Sequence, residues 1–135
     1  MKKTAAIAFS LFTFILIAES CKKDASLPST SYTEKTIKFL LHTEQDYSSD
    51  NDSITFSAFI KSHTAVLFDS VLYSMKIKDI PGLSNQLAFE KKITTNDNDD
   101  LSVGFRYEIK SVGISWYRDT CQAGLPYKVV DFSFR

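Results

Sequence analysis

Two acidic stretches carry the strongest chemical signal in the chain. Residues 46–52 read DYSSDND and residues 96–100 read NDNDD. A hard cation such as calcium takes roughly six to eight oxygen ligands from carboxylates, amides and carbonyls. Asp46, Asp50, Asp52, Asp97, Asp99 and Asp100, with Asn51, Asn96 and Asn98, would supply that set if the two loops meet. Neither stretch has EF-hand spacing, since 96–100 lacks the glycine and the distal glutamate. Asp and Asn also make turns on their own, through local backbone hydrogen bonds. A calcium site and plain turn chemistry therefore stand side by side.

The second signal is aromatic. Trp116 and Tyr117 are adjacent, so on a strand they point to opposite faces. Placing the apolar Val112, Ile114 and Trp116 inside turns Tyr117 outward, close to Asp119 and Tyr127. Exposed aromatics beside carboxylates offer a platform for a sugar ring or a peptide at low entropic cost. Trp116, Tyr117 and Tyr127 are accordingly the candidate ligand-binding residues. Arg106 and Arg118 read as outward side chains, solvated or paired with Glu108 or Asp119.

Catalytic groupings are missing. The two histidines, His42 and His63, fall on an outward strand face and in a turn at 61–64, and Cys121 is remote from both in sequence. Nucleophilic catalysis needs nucleophile, base and orienting group within reach. Zinc needs three or four ligands, commonly at short spacings. Neither pattern is present, and the expectation is a protein without catalysis.

A third signal lies at the N-terminus. Lys2 and Lys3 precede an apolar run, Ala5–Ala18, and a short polar step leads to Cys21. That is the layout of a secretory signal peptide, and the run is shorter than the roughly 20 residues of a membrane span. Ile17-Ala18-Glu19-Ser20-Cys21 resembles a bacterial lipoprotein signal, in which a small residue precedes a cysteine whose thiol receives a diacylglycerol. Cys21-Lys22-Lys23-Asp24 resembles the start of many mature lipoproteins of the Bacteroidetes group. The resemblance implies a signal peptide over 1–20, a lipidated Cys21 carrying acyl chains such as palmitate, and a place in the cell envelope. The outer membrane of a Gram-negative bacterium is the expected site. Ordinary secretion with a free Cys21 is the alternative. No activity comes with the resemblance.

With 1–20 removed, the remaining chain suffices for one domain and is too short for two. The full chain has 16 Lys and Arg against 16 Asp and Glu, and removing Lys2, Lys3 and Glu19 leaves it near neutral. No basic excess draws in nucleic acid. A lipidated Cys21 would leave Cys121 without a disulfide partner, most simply as a small buried apolar residue.

Residues 21–34 read as the lipidated cysteine and a polar tether, and residues 35–135 as the domain. From Lys35 the hydrophobic period is two. Ile37, Phe39 and Leu41 share a face, as do Ile54, Phe56, Ala58 and Ile60. Ala65–Phe68 reads as a short strand of its own, followed by Val71, Tyr73, Met75 and Ile77 on one face, then Leu87, Phe89 and Ile93. Leu101, Val103, Phe105, Tyr107 and Ile109 form the clearest row, and 112–118 and 128–135 complete the set. Leu83–Ala88 is the one weak helical candidate. Seven or eight strands predict an all-β, two-sheet antiparallel sandwich, with a small barrel as the alternative. Strict alternation of eight strands would gather the loops 44–52, 69–70, 95–100 and 119–126 at the end remote from the tether.

The expected function is a non-catalytic envelope lipoprotein acting as a binding or accessory module, without cofactor unless calcium binds. Its partners would be the membrane, through the anchor, and an envelope protein or glycan. An assembly subunit docking on another envelope protein through a sheet face or edge, and a calcium-dependent binding module, are the alternatives.

Overall fold

The structure, a computed structural model, describes residues 31–135. Cys21, the signal segment and most of the expected tether lie outside the described residues. Seven strands follow in order: β1 (Tyr32–Thr43), β2 (Ser53–Lys61), β3 (Val66–Lys76), β4 (Leu87–Asn96), β5 (Leu101–Ile109), β6 (Gly113–Cys121) and β7 (Tyr127–Phe134). They form two sheets, ordered β4-β1-β7 and β3-β2-β5-β6. Every pairing is antiparallel except β1 with β7, which run parallel. The two-sheet sandwich is one of the two architectures that a period of two permits, and among the described residues the barrel is not formed. Each strand has one apolar row to hide, and among the described residues no α-helix covers it. The first strand starts at Tyr32, three residues ahead of the Lys35 boundary read from the pattern.

One strand corrects the count. Ala65–Phe68 and the row beginning at Val71 are not separated by a loop at 69–70. They belong to a single β3, in which Asp69 lies opposite Phe59 and Ser70 opposite Ala58. A register shift at Phe56/Ser57 places Tyr73 opposite Phe56 and Val71 opposite Ser57, so the extra residue is Leu72. The bulge breaks the expected row: Val71 is exposed, while Tyr73 and Met75 pack on the core. The helical candidate at Leu83–Ala88 reduces to a 3-10 turn at Leu83–Asn85 followed directly by β4.

Losing one strand reverses the parity of every later loop. Loops 44–52, 77–86 and 110–112 share one end, tied by Thr43 N–H to Pro81 O (2.9 Å) and Ile77 N–H to Asp52 O (2.9 Å). Loops 62–65, 97–100 and 122–126 share the other end, beside Ser31. There Asp97 N–H donates to Ser31 O and Gly124 N–H to Asp97 O, both at 2.8 Å. The expected cluster of 44–52 with 95–100 and 119–126 does not form. The last two lie where the chain enters the domain.

The core follows the rows of β1, β2 and β5: Ile37, Phe39, Leu41, Ile54, Phe56, Ile60, Val103 and Phe105 are almost wholly buried. Aromatic contacts close both seams between the sheets. Phe68 stacks on Phe89 at the β3–β4 side, and Tyr117 stacks on Phe132 at the β6–β7 side, with centroids 5.7 and 4.8 Å apart. Cys121 sits in this core, and burial pushes its thiol above its ordinary value. Lys35 is wholly buried on the inward face of β1, where its Nζ donates to Gln122 O at 3.4 Å.

Lys128 of β7 and Asp119 of β6 form an ion pair across the second seam, Nζ to Oδ2 2.7 Å. Burial raises the Asp119 carboxyl, but the bonds from Lys128 and from the Thr120 N–H outweigh it, and the net shift is downward. A carboxyl depressed in the folded state contributes stability above its ordinary value and loses it as pH falls through the folded value. Asp119→Asn is therefore expected to cost about 1 kcal/mol at neutral pH. The cost should vanish at the acid end of a series of urea-unfolding midpoints. A cost that does not change with pH would refute this account.

Candidate binding face on the four-stranded sheet

The outer face of the four-stranded sheet is set by register. Ser57 of β2 lies beside Arg106 of β5 and Trp116 of β6. The next rows are Phe59, Gly104 and Arg118, then Lys61, Ser102 and Thr120. This register corrects the expected orientation of β6. Leu101, Val103 and Phe105 form the buried row of β5, and their partners are Cys121, Asp119 and Tyr117. Tyr117 therefore packs on the core. Trp116 and Ile114 face outward, 41% and 61% exposed, and Val112 is exposed in the preceding turn.

Gly104 puts no side chain into the middle row. Beside it Phe59, only 2% exposed although on the outer face, meets Trp116 edge-on with centroids 5.5 Å apart. Three cations then gather on the same indole. Lys61 Nζ is 5.4 Å from its centroid, Arg118 Cζ 5.5 Å and Arg106 Cζ 5.8 Å. Each such contact contributes about 0.5–1 kcal/mol on an open surface. Arg106 also reaches Asp69 (3.6 Å) and donates to Ser57 Oγ (3.3 Å). Among the described residues, Lys61 and Arg118 have no carboxylate partner within 4.0 Å. Neither arginine takes the partner expected from sequence.

A cavity of about 600 Å³ opens where this face ends. Lys61 lines it, with Ser62, His63, Asn98, Asp99, Asp100, Ser102 and Thr120. Lys61 thus belongs both to the cation cluster and to the cavity. Leu101 is the one aliphatic residue beside it; the others carry hydrogen-bonding groups on partly apolar stems.

The acidic stretches do not meet. Asp46, Asp50 and Asp52 lie at the end of β5 marked by Ile109, whereas Asp97, Asp99 and Asp100 lie at the end marked by Leu101. Nine residues of strand separate the ends, on the order of 25 Å. The calcium set joining both loops is corrected accordingly. Among the described residues no group of three or more His, Cys, Asp or Glu is placed to hold a metal ion. Asp46, Asp50 and Asp52 accept from N–H groups of their own turn, while Asp97 and Asp100 accept from donors on other elements. The Ser48 N–H holds Asp46 below the ordinary carboxylate range, and the Ser111 hydroxyl and Ser53 N–H do the same for Asp52. Asp97 accepts from Thr33 Oγ1 and Asp100 from Ala123 N–H.

The expected aromatic trio also separates. Trp116 is on the four-stranded face and Tyr117 in the seam, while Tyr127, 49% exposed, begins β7 in the other sheet. His42, expected on an outward strand face, is nevertheless buried, at 4% exposed. Its Nε2 lies 3.1 Å from Asp131 Oδ1, while its Nδ1 and the neighbouring Ser133 Oγ are buried without partners. Asp131 and Ser133 line a second cavity, of about 380 Å³, with Tyr107, Tyr117, Phe132 and Arg135. His42 and Ser133 make no hydrogen bond to each other. This trio becomes readable only once β1 and β7 are known to pair.

The chain is thus a two-sheet β-sandwich with a basic, aromatic outer face. No protein-family model, curated protein or solved structure matches it.

Proposed function

We propose that this protein is a lipoprotein of the cell envelope, held by lipid on Cys21 at the outer membrane, and that its sandwich is a non-catalytic binding module. The anchor is supported by the order Lys2-Lys3, apolar run, Ser20-Cys21. Binding is supported by one observation above others: Lys61, Arg106 and Arg118 converge on Trp116 at an exposed sheet face, and of the three Arg106 is the one ion-paired among the described residues, to Asp69. Clusters of arginine and exposed aromatic side chains are the usual composition of recognition surfaces. The ligand surface is this face rather than the trio Trp116, Tyr117 and Tyr127. Docking of another envelope protein on the same sheet has less behind it, because the face is strongly charged rather than broad and apolar.

Mass spectrometry of the mature N-terminus tests the anchor: a diacylglyceryl Cys21 is expected, and an unmodified one ends the lipoprotein reading. For the face, the mature chain in detergent is expected to cosediment with lipid-stripped envelope material. Arg118→Glu should cut that retention at least fivefold. Equal retention of the variant would move the ligand surface elsewhere.

A further inference from the structure

The binding face and the neighbouring cavity differ in chemistry, and they share Lys61. Resting on the reading of that face as the ligand surface, we propose that the ligand is an acidic polysaccharide. Its carboxylates meet Arg118 and Lys61, and its hydroxyls enter the cavity lined by Asn98, Ser102 and Thr120.

The charge argument comes first. Lys61 and Arg118 are held near a single ring, and among the described residues they lack carboxylate partners. Cations already placed by an indole lose less freedom when they meet an anion than cations on free side chains do. The indole here is a holder of charge more than an open stacking surface, since Phe59, Lys61, Arg106 and Arg118 crowd it. An anionic ligand is the complement.

The cavity then narrows the class of anion. Ser62, Ser102 and Thr120 supply hydroxyls, Asn98 an amide, and Asp99 and Asp100 carboxylate acceptors. A polyol can donate to those carboxylates. A densely charged chain without hydroxyls, such as polyphosphate, would instead force negative charge against them with no donor to offset it. A ligand that alternates carboxylate and hydroxyl fits both halves. Along β6 the two halves are Trp116–Arg118 and Thr120, five residues from end to end, or about 13 Å. That length suits an oligomer better than a single small anion.

The chain's one tryptophan is Trp116, so intrinsic fluorescence reports from the face itself. Oligogalacturonate added to the mature protein in detergent should give a saturable, salt-sensitive change in emission. Neutral dextran should give none, and polyphosphate should bind at least tenfold more weakly. Arg118→Glu and Lys61→Glu should each weaken oligogalacturonate binding at least tenfold. Asn98→Ala with Thr120→Val should weaken it about fivefold while leaving polyphosphate binding unchanged. If polyphosphate binds as tightly as oligogalacturonate and the cavity variant is silent, the polysaccharide inference falls while the basic face stands. If no polyanion changes the emission or binds by calorimetry, both the inference and the assignment of the face fall.

Discussion

Replacing Phe132 by alanine should lower stability by about 3–5 kcal/mol, whereas Trp116→Ala should cost only about 1–2 kcal/mol. Phe132 is 7% exposed and contacts Phe56, Phe105, Tyr107 and Tyr117, with centroids 6.4, 5.5, 5.5 and 4.8 Å away. With Phe134, whose ring meets Phe56 and Tyr107, it joins β7 to the opposite sheet. Its removal leaves a cavity among rings that cannot all collapse inward, and it forfeits aromatic pairs worth about 0.5–1.5 kcal/mol each beyond buried area. Trp116, by contrast, lies outside the sandwich, and removing it uncovers Phe59 without opening the core. Urea-unfolding midpoints of the two variants, with unchanged m-values, check the pair. A Trp116→Ala loss equal to that of Phe132→Ala would show that β6 presents its other face to the core.

That comparison also marks what the sequence could reveal. The row Leu101-Val103-Phe105 dictated its own burial, because each outward neighbour is small or polar. In β6 both rows contain large side chains, and apolarity favoured Ile114 and Trp116 for the inside. Register overruled it: once Phe105 faces inward, its partner Tyr117 must do so as well. Neither the bulge at Leu72 nor the parallel pairing of β1 with β7 leaves a periodic trace, so loop positions and the His42–Asp131 contact stayed hidden. The basic face was partly visible. Arg106 and Arg118 read as outward, but their convergence with Lys61 on one indole depends on pairing across three strands.

The same face depends on a residue with no side chain, and Gly104→Ala should be among the most damaging small substitutions in the domain. An added Cβ would lie 2.0 Å from the Tyr117 carbonyl oxygen and about 3 Å from two further backbone atoms of β6. Backbone cannot swing aside as a long side chain can, so either the β5–β6 ladder opens locally or β6 moves away. Overpacking of this kind costs about 1–3 kcal/mol in ordinary cores and more where backbone must shift, so a loss of about 3 kcal/mol or more is expected here. The displaced strand carries Trp116 and Arg118. The variant should therefore change the native tryptophan emission as well as the unfolding midpoint. Ser102→Ala, two residues earlier on the same outer face and exposed, adds no atom and should leave both unchanged. A Gly104→Ala protein with full stability and native emission would show that β5 and β6 are not held as closely as their register requires.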